Sequence, residues 1–442
     1  MKKNLCLPVT KEVASRCAAV LTLALLGAGL ASVGQGQAIT EFATTPGSFP
    51  FQITAGPDGN LWFTESLANR IGRISTAGVI AEFPVPSAAS EPRGIAAGPD
   101  GNLWFTEIAG HRIGRISPAG VVTEFPVPSS SGELLAIAAG PDGSLWFTEL
   151  SGKIGRITPA GVVTEFPTGS SGPSSIAAGS DGNLWFTEFS NNIGRITPAG
   201  AVTRFPIPTV ASEPIGIAAG PDGNMWFTEA LGNKIGRITP AGAITEFPTP
   251  TAVSEPIGIA AGPDGNLWFT EAAANSIARI TTIGVVTEFP LPAANSLPLG
   301  IAAGPDGNIW FTEWWGNRIG RIDPAAAPPQ GCTPSATTLC LSGGRFHVRV
   351  DWTASNIGQS GVGQTIPLTS DSGAFWFFQP SNIELIVKVL DARAINGHFW
   401  VFYGALSNVG YTITVTDTQT GVVRTYTNPE GQLASGADTE AF

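Results

Sequence analysis

The chain has 442 residues and a formal net charge of −11; only 13% of its residues are charged, while Gly (55) and Pro (36) abound. That length allows two or more domains with a large core, and 24 Phe and 12 Trp exclude a disordered chain. The acidic balance repels phosphate backbones, so nucleic acid is excluded as a partner.

Residues 1–38 read as a secretion signal. Lys2, Lys3, Lys11 and Arg16 give a basic start, and an apolar run from Cys17 to Ala31 follows. The run is too short and too rich in Ala and Gly for a membrane span, and Gly36-Gln37-Ala38 offers a small-residue cleavage site. Removing the segment takes away four cations and one anion, leaving −14 and no transmembrane segment. The expected location is outside the cytoplasm: periplasmic, secreted or on the cell surface.

From residue 39 one phrase dominates. Gly-Pro-Asp-Gly-Asn-Leu-Trp-Phe-Thr-Glu recurs with its Trp at 62, 104, 146, 185, 226, 268 and 310, spaced 42, 42, 39, 41, 42 and 42 apart. A period near 40 with strand-like content predicts an all-β, seven-bladed β-propeller over 39–323. Each unit supplies four strand-sized pieces; in the second they are Gly94–Ala97, Leu103–Thr106, Ile113–Ser117 and Val121–Phe125. Turn formers join them, with Pro fixing φ and Gly taking positive φ. Ile-Ala-Ala-Gly is small enough to crowd round an axis. Leu-Trp-Phe-Thr is apolar on both faces, as a strand between two neighbouring blades must be.

The last unit ends at Asp323 without a fourth strand, whereas a fourth-strand phrase, Ile39-Thr40-Glu41-Phe42, precedes the first complete unit. The N-terminal phrase should therefore close the ring beside Ile319–Ile322 and hide two strand edges. In each blade a short turn allows two registers, with Arg115 opposite either Glu124 or Thr123.

Variable loops gather on one face, where function usually lies. Glu65, Glu107, Glu149, Glu188, Glu229, Glu271 and Glu313 end the second strands on that side, with Glu91, Glu133, Glu213 and Glu255 in connecting loops. A ring of carboxylates suits a hard cation; local pairing with each loop's own Asn-Arg or Asn-Lys is the simpler reading. Arg93, His111, Trp314 and Trp315 are the binding candidates on this face. The two indoles either stand exposed as anchors for a small molecule, peptide or glycan, or one of them folds down over a neighbouring blade. His111 occupies a slot filled by Asn69 and Asn233 elsewhere. Arg204 breaks the outer-strand Glu pattern.

The wording "GPDGNLWFTE", "NRIGRI" and "ITEFP" resembles the virginiamycin B lyase (streptogramin lyase) family from Ile39 to Asp323. The resemblance implies a seven-bladed propeller and a Mg²⁺-dependent elimination that opens a cyclic peptide antibiotic at its ester. It also implies two catalytic histidines, each following the Pro that opens the innermost strand of the last two units, assisted by a Glu that Glu313 matches. Here those places hold Ile257 and Leu299. Neither side chain takes a proton, so the sequence supplies no catalytic pair.

Pro324–Gly331 reads as a stiff linker, and 332–442 as a small β-sandwich. Strands are predicted at Phe346–Thr353, Phe375–Phe378, Ile383–Leu390, Phe399–Tyr403, Tyr411–Thr416 and Val422–Tyr426, with a hairpin loop at Asp417–Gly421. Cys332 and Cys340, eight apart in an exported chain, are expected to form a disulfide. The leading functional expectation is an exported propeller that binds a ligand or partner without catalysis. A lyase using unfamiliar residues and a structural cell-surface module are the alternatives.

Overall fold

The computed structural model describes residues 39–442 apart from 129–132, 171, 326–334, 343, 370, 397 and 419–421. The segment expected to be a signal, Cys332 and most of the expected linker therefore lie outside the described residues. Among the described residues no helix is long and apolar enough to cross a membrane.

Seven four-stranded antiparallel sheets follow the repeat. In the second blade the strands are Pro92–Ala97, Leu103–Glu107, Arg112–Ile116 and Val122–Pro126, from inner to outer. The seventh blade takes its outer strand from the N-terminus, with Ile39 opposite Ile322 and Phe42 opposite Ile319. The closure expected from the unmatched phrase is thus present. Arg115 stands opposite Thr123, so the three-residue turn with Gly120 at φ 87° is the one adopted.

Each element of the repeated phrase has a partner. The Asp of the Gly-Pro-Asp-Gly turn accepts a hydrogen bond from the indole four residues later: Trp62 Nε1 donates to Asp58 Oδ1 at 3.0 Å, and all seven blades repeat it. Burial alone would raise the Asp58 pKa, but the hydrogen bonds from Trp62 and Asn60 bring it below the ordinary value. The Trp ring then stacks on the outer-strand Phe of its own blade, Trp62 on Phe83 at 5.5 Å. It also packs against Leu103 and Phe105 of the next blade, so the cores lie between blades. The tight fit explains Gly72: a Cβ there would lie 2.1 Å from the Phe63 ring.

The third-strand arginines do more than ladder the surface. Arg73 lies over the Trp62 and Phe83 rings at 5.4 and 5.6 Å and donates to the Pro118 carbonyl of the following blade. Arg321 donates in the same way to Thr76, across the closure. With Arg115 opposite Thr123, outer Glu residues meet instead the cation that opens the third strand, as in Lys234–Glu246 at 3.0 Å and Arg318–Glu41 at 3.6 Å.

The C-terminal region forms two five-stranded sheets. One holds Leu339–Leu341, Phe346–Ala354, Gln359–Val362, Gly410–Asp417 and Val423–Asn428; the other holds Gln364–Pro367, Ser372–Trp376, Leu385–Ala392, His398–Ala405 and Ser435–Asp438. Val348, Val350, Ile413 and Val415 of the first share a core with Phe375, Val387, Val389 and Val401 of the second. This is the expected β-sandwich. Thr416 pairs with Val423, so the strands on either side of the predicted hairpin loop are antiparallel neighbours; residues 419–421 of that loop lie outside the described residues. Cys340 lies in the Leu339–Leu341 strand, half-buried.

Candidate functional site

The inner strand of every blade is bulged at one end. Pro50 pairs with Glu65, but regular pairing resumes at Ile53 with Phe63, leaving two residues opposite Thr64. The other six blades share the irregularity. A bulge leaves backbone groups unpaired and re-aims side chains. Here the threonine hydroxyl satisfies those groups. Thr64 accepts from Gln52 N–H in its own blade and donates to the Arg93 carbonyl of the next at 2.7 Å. Thr312 accepts from Gly300 N–H and donates to the Phe51 carbonyl, so the relay returns to the first blade. Thr106, Thr148, Thr187, Thr228 and Thr270 complete it.

The first bulged residues are Phe51, Arg93, Leu135, Ser174, Ile215, Ile257 and Leu299, all buried or half-buried. They form an apolar ring interrupted by one hydroxyl and one cation. Arg93 is only 6% exposed, and its guanidinium lies 4.5 Å from the Phe51 ring centroid. Burial lowers its pKa to about 10, against the opposing pull of Glu133 and Glu91, so it remains a cation at neutral pH. Ile257 and Leu299 are 8% and 5% exposed hydrocarbon. The ring can hold apolar surface and one anionic or carbonyl oxygen; at these two places it cannot exchange a proton.

Around it the residues that precede the inner strands are strained. Phe49, Glu91, Glu213, Glu255 and Leu297 have φ between 51° and 54°, each directly before a Pro. That region is sparsely populated by residues with side chains, and such strain costs of order 1–3 kcal/mol per residue. It persists here because the loops that follow the second strands fasten these positions: Ala272 N–H donates to Glu255 O, and Trp314 N–H to Leu297 O. Burial and the neighbouring Glu255 push Glu213 up to about 7.

The seven second-strand carboxylates do not converge on the mouth. Glu65, Glu107, Glu149, Glu188, Glu229, Glu271 and Glu313 are each 0% exposed, sealed within their own blades. Among the described residues no group of three or more His, Cys, Asp or Glu side chains is placed to hold a metal ion. The carboxylate ring considered as a cation site is therefore corrected. Burial, with the outer-strand carboxylate beside each one, pushes Glu65, Glu107, Glu229 and Glu313 up to about 7. Glu271 rises further, to about 8. Its cross-strand partner is Ser276, where the other four have Arg70, Arg112, Lys234 and Arg318.

The paired indoles separate in role. Trp314 is 7% exposed and packs on Phe49 at 5.0 Å; Trp315 is 37% exposed and lies 5.7 Å from Trp314. Of the two arrangements the sequence allows, both indoles exposed or one folded down, the structure shows the second, with Trp315 alone of the pair exposed. Phe49 belongs to the loop after the closing strand, and its N–H donates to Asn317 Oδ1, so Trp314 fills the closure seam. His111 takes φ 48°, the left-handed position that Asn69, Asn191, Asn233, Asn275 and Asn317 occupy elsewhere. Asn69 Oδ1 accepts from both Ser90 N–H and its hydroxyl, latching the connecting loop; the slot is structural.

Sequence reasoning missed the threonine relay. Threonine inside a buried strand reads as β-branched filler. The usable signal was a hydroxyl at one fixed position in an otherwise apolar run, seven times over.

The sequence profile of the virginiamycin B lyase family matches residues 27–167 and 134–328. A structure titled as a streptogramin B lyase is 40% identical, superposes with a TM-score of 0.62, and covers 64% of this chain and 97% of its own. The catalytically inactive His-to-Ala variant of the Staphylococcus aureus virginiamycin B lyase, solved with quinupristin, is 41% identical, with a TM-score of 0.62 and coverage of 64% and 98%. The virginiamycin B lyase of Bordetella bronchiseptica aligns over 55 residues at 40% identity, spanning 12% of this chain and 18% of that curated relative.

Proposed function

The chain belongs to the virginiamycin B lyase family, and from that premise we propose that it binds a ligand at the propeller mouth without catalysing a lyase reaction. The observation that carries this reading is the hydrocarbon at Ile257 and Leu299, in the bulged positions after Pro256 and Pro298. A C–O elimination needs a base near neutral pKa beside the substrate, and imidazole is the usual one. In the S. aureus relative, replacing one histidine by alanine accompanies an inactive enzyme. Glu313, buried beneath Arg318, faces its own blade and does not substitute for a base at the mouth.

The ligand favoured by this ring is largely apolar, to cover Phe51, Leu135, Ile215, Ile257 and Leu299. It bears a carbonyl oxygen for Arg93 and a basic group for Glu91, Glu133, Glu213 and Glu255. Mg²⁺, which the family resemblance implies, finds no three-donor set among the described residues, so no step is routed through it. Export through the N-terminal signal and a Cys332–Cys340 disulfide belong to the same proposal: both suit a protein that meets its ligand outside the cytoplasm.

The test is to incubate the mature protein with quinupristin and Mg²⁺, following binding by calorimetry and ring opening by mass spectrometry. Binding without turnover, weakened by Arg93→Ala, is the expected result. Turnover would assign a lyase activity and overturn the proposal.

A further inference from the structure

The C-terminal sandwich carries a cleft of its own, outside the region that matches the family. It has a volume of about 500 Å³ and opens where the Phe346–Ala354 strand of one sheet meets the Phe377–Gln379 segment of the other. Trp352, Phe377 and Phe378 give it aromatic walls, and Gln359, Ser360 and Gln379 give it polar ones. Volumes of this size suit a small ligand.

Trp352 is the unusual member. It is 7% exposed, stacks on Phe377 at 5.5 Å and 15°, and meets Phe378 edge-on at 4.7 Å. Its indole Nε1 is buried and has no hydrogen-bond partner among the described residues. A buried N–H left without an acceptor costs about 1–3 kcal/mol; the seven indoles of the repeated phrase avoid that cost by donating to Asp, while Trp314 Nε1 at the closure seam shares the state of Trp352. Across the strand pair, Trp352 faces Gly361. A Cβ at Gly361 would lie 3.3 Å from both Nε1 and Cζ2, so glycine keeps this edge of the indole uncrowded. Phe378 is 38% exposed and lies outside the sandwich core, so its ring offers an accessible apolar face at the cleft.

We propose that this cleft binds a neutral, hydroxyl-bearing ring of the pyranose class. The chemistry selects it. Among the described residues that line the cleft none is ionisable, so neither an anion nor a cation is matched. A purely apolar ligand leaves the Trp352 N–H unpaired. A sugar hydroxyl accepts from that N–H, other hydroxyls exchange hydrogen bonds with the two glutamine amides and Ser360, and the C–H face of the ring lies on Phe378. The domain then acts as a glycan tether for the propeller, and this assignment is independent of what the propeller mouth binds.

The experiment uses the mature full-length chain with ¹⁵N-labelled tryptophan. The Trp352 indole N–H resonance is assigned by its loss in Trp352→Phe. Glucose, galactose, mannose and N-acetylglucosamine are titrated separately. At least one is expected to move that resonance saturably, with a Kd in about the millimolar range for a single ring, while the seven core indoles stay still. Phe378→Ala, which removes an exposed platform and spares the core, should weaken the effect about tenfold. Gly361→Ala should abolish it. The proposal is overturned if none of the four sugars moves the resonance, if Phe378→Ala leaves the titration unchanged, or if a Phe-rich peptide moves it where the sugars do not.

Discussion

Arg204 Nε donates to Glu188 Oε2 at 2.8 Å, and it does so in the one blade where Asn192 stands in place of a third-strand cation or the serine of blade six. The remaining blades put Glu at the position of Arg204. In the fourth blade the positive charge has moved from one strand to the next, and Arg204 also donates to the Thr168 carbonyl. Arg204→Gln should leave Glu188 buried without its cation and cost about 2 kcal/mol, discounted because Arg204 is 30% exposed. Adding Asn192→Arg should recover most of that loss. Urea unfolding of the two variants measures both.

The raised carboxyls give the propeller a pH dependence of definite sign. Glu65, Glu107, Glu229, Glu271 and Glu313 hold protons up to about 7 or 8 when folded, against an ordinary 4.5. Their contribution is complete below the ordinary value and is lost as pH rises through the folded value. Hydrogen-bonded Asp58, Asp100 and Glu246 are lowered, and their contribution is lost on acidification. Tm should therefore peak at about pH 5 and fall toward pH 8. Glu271→Gln, which keeps the shape and removes the charge, should raise Tm at pH 8 and leave it unchanged at pH 5. Scanning calorimetry at the two pH values decides.

The threonine relay predicts a large effect from a small change. Thr312→Val keeps volume but strands the Gly300 N–H and the Phe51 carbonyl at the closure. The expected cost is about 2–4 kcal/mol, with Thr312→Ser milder. Hydrogen exchange at Gly300 should quicken in the valine variant alone.

Trp314 and Trp315 should respond oppositely. Trp314→Ala opens a cavity against Phe49 and should cost about 3–5 kcal/mol. Trp315→Ala should change stability by less than about 1 kcal/mol. Equal melting temperatures for the two variants would contradict the packing described.

Much of the fold was legible because it is stated seven times. The unmatched Ile39–Phe42 phrase was enough to place the closing strand, since a count of outer-strand phrases needs no coordinates. The site was less legible. Burial of Trp314 depends on Phe49, which comes from the far end of the propeller sequence. Arg204 stood out in the sequence, but its meaning needed Asn192, whose side chain reads as ordinary loop chemistry. In the sandwich, Gln359–Val362, Gln364–Pro367 and Ser435–Asp438 were missed. They are short edge strands without apolar alternation, held by neighbours and not by their own pattern.

Deleting Ile39–Phe42 should lower the melting temperature of the whole propeller, since Ile319 and Trp310 lose Phe42 and two edges open. Calorimetry of the deletion variant checks it, an unchanged Tm being the contrary result.

That closing pair has a meaning for synthesis as well as for stability. The strand made first has no mate until Ile319–Ile322 has been made, close to the end of the propeller sequence. A chain that stops early, through a broken message or a stalled ribosome, can stack its blades but cannot join them into a ring. Its first and last edges stay open to proteases. Completion of the ring thus certifies that the whole propeller was translated, and it withholds the finished form from every fragment.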